Sequence, residues 1–186
     1  GGALERLEGR TGNIVSGPVF VIVFDGKTGS ALQTVDYVPP CGRLEDWGDN
    51  YANRSERYLA AVAYLDGRHP SVVMCRGYYT RSVLAAFDWD GKRLTSRWVF
   101  DTDSARWASY AGQGNHNLRV ADVDGDGCDE ITYGSCAIDH DGTGLYNTGF
   151  GHGDALHLTA FDPSSDRLQV WDCHENTRDG SDFRDA

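Results

Sequence analysis

The sequence predicts an all-β fold, read as a fragment of a β-propeller that carries about two and a half four-stranded blades. Three observations point there. Glycine (23) and tyrosine (9) are abundant, methionine occurs once, and apolar runs are punctuated by Asp-Gly and Pro-Pro. Aromatic and β-branched residues favour strands, and Asp-Gly favours tight turns. One phrase, an apolar run, Phe-Asp, a short turn and a second apolar run, recurs along the chain. Finally, an acidic, glycine-bearing loop at residues 122–130 separates two strand-like runs. Helices are expected to be scarce.

The recurring phrase occupies residues 19–32, 83–94 and 156–168, with Phe24-Asp25, Phe87-Asp88 and Phe161-Asp162 as its anchors. Each copy reads as a β-hairpin, because residues that tolerate tight turns stand between β-branched and aromatic stretches. A second phrase precedes the hairpin twice: residues 59–67 followed by 71–74, and residues 118–125 followed by 129–133. Together the two phrases make four strands per unit, at the spacing of a blade with generous loops. Propellers close with about four to eight blades. The chain, 1–186, is therefore expected to be a partial propeller domain truncated at both ends, and the polar tail at 175–186 to lack a closing strand.

Composition narrows the partners. A net charge of -11 leaves too few Lys and Arg to track a phosphate backbone, so nucleic acid is not an expected ligand. No run of eighteen apolar residues suggests a membrane span, and the N-terminal sequence lacks the basic-then-apolar order of a signal peptide. Cys41, Cys75, Cys128, Cys136 and Cys173 form no C-x-x-C pair, and free or buried thiols are expected.

In the loop at 122–130, Asp122, Asp124, Asp126 and Glu130 place oxygen donors at alternating positions, Gly127 permits a sharp turn, and the carbonyl of Cys128 is available. That is an oxygen cage for a hard cation, Ca²⁺. The position of an EF-hand's last glutamate is Tyr133 and the flanks read as strands, so the loop is of the type that joins two blade strands. The alternative is an acidic turn without metal. A thiol is a poor ligand for Ca²⁺, so the Cys128 side chain is expected to point away. Residues 139–142 have too few donors for a cage and read as a β-turn.

Two glycine-rich stretches, 112–117 and 149–154, each lead into a strand and carry His116 and Asn115, and His152 and Asp154. Glycine lets backbone approach a ligand closely, so both could line one site; a satisfied loop histidine is the competing reading. Residues 76–81 mix Arg76, Tyr78, Tyr79 and Arg81 and could receive an acidic sugar.

The order of these motifs, including Asp46-Trp47-Gly48-Asp49 and Ala121 through Gly127, resembles polysaccharide lyase family 11 over most of the chain. The resemblance implies an eight-bladed propeller that binds several Ca²⁺ ions and cleaves the rhamnogalacturonan I backbone of pectin by β-elimination. It also implies a monomer acting outside the cytoplasm, extracellular or periplasmic. On that resemblance Asp122, Asp124, Asp126, the Cys128 carbonyl and Glu130 form a structural calcium site. His116, His152, Asp154 and, more weakly, Glu175 look like metal ligands near the substrate cleft. Asn115, Arg76, Tyr78 and Arg81 look like substrate contacts. The catalytic base is implied to lie beyond residue 186. The rival expectation is a non-catalytic calcium propeller for adhesion or glycan binding.

Overall fold

The computed structural model describes residues 7–9, 11–176 and 178–186. Its regular structure is β throughout, apart from 3-10 turns at Leu44–Trp47 and Ala108–Tyr110. Hairpins β1–β2 (Leu7–Glu8, Ile14–Ser16) and β3–β4 (Phe20–Phe24, Ala31–Asp36) come first. Two four-stranded antiparallel sheets follow. One is β5 to β8 (Tyr58–Ala63, Ser71–Arg76, Val83–Trp89, Leu94–Asp101), and the other is β9 to β12 (Arg119–Ala121, Glu130–Thr132, Cys136–Ile138, Gly144–Asn147). A three-stranded sheet, β13 to β15 (Gly153–Thr159, Gln169–His174, Ser181–Asp185), ends the chain. In every sheet, strands adjacent in sequence are adjacent in space, as short connections require.

The sheets stack. Strand β7 shows why: its first five residues are all buried, and Leu84 to Phe87 alternate between two cores. Leu84 and Ala86 join Phe100, Ile131, Tyr133 and Ile138 on the side facing β9–β12, while Ala85 and Phe87 join Val21, Tyr37 and Leu94 on the side facing β3–β4. A strand covered on both faces has no solvent side, so its apolar run is continuous rather than alternating.

Two expectations are corrected. The hairpin at 156–168 does not complete the sheet begun by β9 and β10. The short β11–β12 hairpin does so, and 156–168 opens the next sheet. The turn at 139–142 is present as expected, with Asp139 N–H bonded to Thr143 O at 2.8 Å, but its flanking strands are only three and four residues long. So brief a run gives little period-2 signal. The tail also contains a strand. Ser181–Asp185 pairs with β14, Trp171 opposite Phe183, although only a two-residue period of half-buried positions marks it.

Candidate functional site

The loop between β9 and β10 folds around its own carboxylates. Asp122 accepts the N–H groups of Gly125 (2.7 Å) and Gly127 (3.0 Å), Asp124 that of Asp126 (3.2 Å), and Asp126 that of Cys128 (2.7 Å). Gly125 and Gly127 both lie at positive φ, where only glycine is unstrained. Glu130 enters from the first position of β10, fully buried, and accepts the Val123 N–H at 2.8 Å through Oε2. Its Oε1 is buried without a partner. Burial, reinforced by Asp124, Asp126 and Asp139, raises the Glu130 carboxyl to about 7. Carboxylate oxygens of Asp122, Asp124 and Glu130 lie within 4.8 Å of one another. An orphaned buried oxygen beside two further carboxylates is a donor set that a hard cation satisfies.

Asp126 is grouped instead with Cys128 and His140, and the Cys128 sulfur lies within 4.8 Å of those partners. The expectation that this thiol points away from the ligand groups is therefore corrected. The same loop touches the preceding sheet: Asp129 accepts the Tyr64 N–H at 2.7 Å and donates its own N–H to Tyr64 O at 3.1 Å.

The two glycine-rich stretches do meet. A parallel bridge joins Asn115 to Gly153, and a side chain at Gly114 would collide with Tyr78 and Tyr133. This close backbone approach brings ligand atoms of His116, His152 and Asp154 within 4.8 Å of one another. His152 directs Nδ1 to the Gly114 carbonyl at 2.6 Å, which makes Nδ1 the protonated nitrogen and leaves Nε2 as a buried, unpartnered acceptor. A carbonyl behind one imidazole nitrogen, with the other free, is how ligating histidines are held. His116 lies between the hydroxyls of Tyr78 (3.0 Å) and Tyr79 (3.2 Å), with Asp154 3.5 Å from its Nε2. Tyr78 stacks on His152 with ring centroids 5.3 Å apart and planes 4° apart. Burial, and next the neighbouring His116, lowers the His152 pKa. That direction favours the neutral ring, the form that can ligate. Exposed Glu175 donates its N–H to the His152 carbonyl at 3.0 Å and adds negative potential beside that ring.

The expected substrate contacts fare differently. Arg76 is fully buried and bonded to Ser55 O (2.8 Å), Pro39 O (3.2 Å) and Glu56 (2.7 Å), so it is an internal strut rather than a sugar contact. Asn115 is also fully buried, and it donates to Asp172 at 2.8 Å. Arg81 forms a two-pronged pair with Asp101 at 3.0 and 2.6 Å. Tyr78 is 4% exposed, and its hydroxyl serves His116. The more accessible groups are Tyr79, which the reading of residues 76–81 included, and Arg54 and Arg57, which it passed over. Tyr79 is half-buried, with the guanidinium carbons of Arg54 and Arg57 5.5 and 5.9 Å from its ring centre. Only their separation in sequence, 54 to 79, hid them.

A stack of antiparallel sheets thus carries an acidic loop and a histidine–carboxylate cluster, and comparison with known proteins gives the family. The model of the rhamnogalacturonan lyase family 11 C-terminal domain matches residues 3–186, and the chain belongs to that family. It is 59% identical over 177 residues to the rhamnogalacturonan exolyase YesX of Bacillus subtilis, covering 94% of this chain and 29% of that protein. To the rhamnogalacturonan endolyase YesW of the same organism it is 48% identical over 188 residues, covering 100% and 30%. The crystal structure of YesW superposes with a TM-score of 0.93 at 49% identity, over 96% of this chain and 31% of that one. A Bacillus licheniformis rhamnogalacturonan lyase gives 0.92 at 56%, over 96% and 31%. The chain thus spans under a third of the length of the relatives it matches.

Proposed function

We propose that this chain is part of a rhamnogalacturonan lyase, with its stacked sheets as blades of a β-propeller and its His116–His152–Asp154 cluster at the edge of the substrate cleft. The observation that carries the reading is the grouping of His152, whose buried Nε2 is free, with His116 and Asp154 and beside the Tyr79 ring, in a chain of the lyase family. The substrate is the rhamnogalacturonan I backbone, cleaved by β-elimination at galacturonate to leave unsaturated ends.

Ca²⁺ is the proposed metal. Asp122, Asp124, Asp126, the Cys128 carbonyl and Glu130 would hold one ion as a strut. His116, His152 and Asp154, with Glu175 nearby, would hold an ion on the substrate side, whose charge would stabilise the developing enolate. The chain's own groups supply orientation. Tyr78 and the Gly114 carbonyl fix the His152 ring, and the Tyr79 ring offers an apolar face for a sugar. Arg54 and Arg57 stand over that ring as candidate partners for a uronate carboxylate. Action outside the cytoplasm, as a monomer, belongs to the same proposal.

The test is incubation of the full-length protein with rhamnogalacturonan I while ultraviolet absorbance of unsaturated uronate is followed. Absorbance should rise, stop on chelation and resume with added Ca²⁺, and His152→Ala should lower the rate at least tenfold. Retention of the polysaccharide without any unsaturated product would instead make the protein a glycan-binding propeller.

A further inference from the structure

Beside the proposed calcium cage lies a second group of donors of different chemistry. Ligand atoms of Asp126, Cys128 and His140 lie within 4.8 Å of one another, and so do those of Glu130, Asp139 and His140. Glu130 Oε1 is buried there without a hydrogen-bond partner, beside the close pair formed by His140 Nδ1 and Asp139 Oδ1. The His140 Nδ1 is 2.7 Å from Asp139, 3.3 Å from Asp126 Oδ2 and 3.7 Å from Glu130 Oε1. The His140 backbone is held in place by a bond from the Trp98 indole N–H to its carbonyl at 2.9 Å, and a side chain at Gly142 would strike Trp98. We propose that Cys128, His140 and Asp126, backed by Asp139 and Glu130, form a second metal site that takes a borderline-soft divalent ion of the zinc class.

Donor chemistry sets the choice of ion. Ca²⁺ takes oxygen, whereas a thiol and an imidazole on one site select zinc and its neighbours. Zinc–nitrogen and zinc–sulfur bonds are about 2.0–2.3 Å, which puts two donors on one ion roughly 3–4 Å apart. The 3.3 Å between His140 Nδ1 and Asp126 is already in that range. Charge favours two ions over one. Asp122, Asp124, Asp126, Glu130 and Asp139 converge on one corner of the fold, and one divalent cation leaves an excess of negative charge at short range. Side-chain exposure of 30% at His140 and 39% at Asp126 gives the ion a path from solvent. Binding forms a metal–sulfur bond and releases the Cys128 proton to water, one proton per ion.

The site shares Asp126 and Glu130 with the calcium reading, so the experiment keeps the two apart. Co²⁺ is titrated into the full-length protein saturated with Ca²⁺, and thiolate-to-cobalt charge-transfer absorption is followed in the near ultraviolet. The proposal expects a band that saturates at one equivalent and is lost in Cys128→Ser, a near-isosteric change that removes the sulfur and keeps the backbone carbonyl. His140→Ala should weaken the cobalt titration at least tenfold. Absence of the band, its persistence in Cys128→Ser, or its stoichiometric loss as Ca²⁺ is raised would each overturn the proposal; the last would mean one shared site. A cobalt band alongside a flat calcium isotherm would support this site and refute the calcium cage.

Discussion

Two loops occupy equivalent places in successive sheets, and they solve the same electrostatic problem in opposite ways. Residues 64–70 join β5 to β6, and residues 122–129 join β9 to β10. In the first, Asp66 receives the N–H groups of His69 (2.6 Å) and Arg68 (2.9 Å) and faces the His69 imidazole at 2.9 Å. Those donors hold its carboxyl well below the usual range. In the second, the backbone N–H groups are taken up by Asp122, Asp124 and Asp126, and Glu130 is left buried among like charges with its carboxyl pushed up to about 7. One loop closes on itself, and the other, on the proposed reading, is completed by a cation. They also touch, through Asp129 and Tyr64, so what is bound in one loop bears on the packing of the neighbouring sheet.

The sharpest way to break this contrast is to substitute the matching aspartates. Asp124→Ala should remove this loop's share of the calcium-dependent rise in melting temperature, a linkage worth about 2.7 kcal/mol when free Ca²⁺ is 100 times Kd. Asp66→Ala should leave the gap between calcium and EDTA melts intact. Scanning calorimetry of the two variants in both buffers decides the matter.

Contact between the loops comes next. Gly67 lies at φ +67, and a Cβ there would overlap the Gly127 carbonyl oxygen. Gly67→Ala should therefore destabilise the full-length protein by at least about 1 kcal/mol, through left-handed strain and displacement of the neighbouring loop. It should also weaken calcium binding. Urea unfolding with and without Ca²⁺ would report both effects. Asp129→Ala removes the acceptor for Tyr64 N–H and should cost about 1 kcal/mol whether or not calcium is present.

A pH series gives the finest distinction. In chelated protein the folded Glu130 carboxyl holds its proton to about 7, above its ordinary value of 4.5. Between those values the folded state binds more protons than the unfolded one, so stability falls as pH rises through that window. Glu130→Gln keeps an acceptor for Val123 and should flatten this slope in EDTA while weakening calcium binding. A slope unchanged by the substitution would place its origin elsewhere.

Much of this was readable before any coordinates. Strands with unbroken apolar runs of four or five residues, such as β3, β6 and β7, announced themselves, and the alternating carboxylates marked the acidic loop. Strands β11 and β12 did not, because three or four residues carry too little period, and neither did β15, whose residues are mostly charged. For the site, glycines at 114 and 153 hinted that two backbones approach, and the histidines beside them do converge. Arg76 misled because exposure cannot be read from residue type: its charge is neutralised inside, by Glu56. His140 was passed over as part of a plain turn, since its meeting with Glu130 and Cys128 depends on the β10–β11 register.

Calorimetric titration of Ca²⁺ into the chelated full-length protein tests the central claim most directly. The account predicts that Asp124→Ala removes one binding event relative to the unsubstituted protein and that Asp66→Ala removes none. Equal stoichiometry and affinity in all three proteins would contradict it.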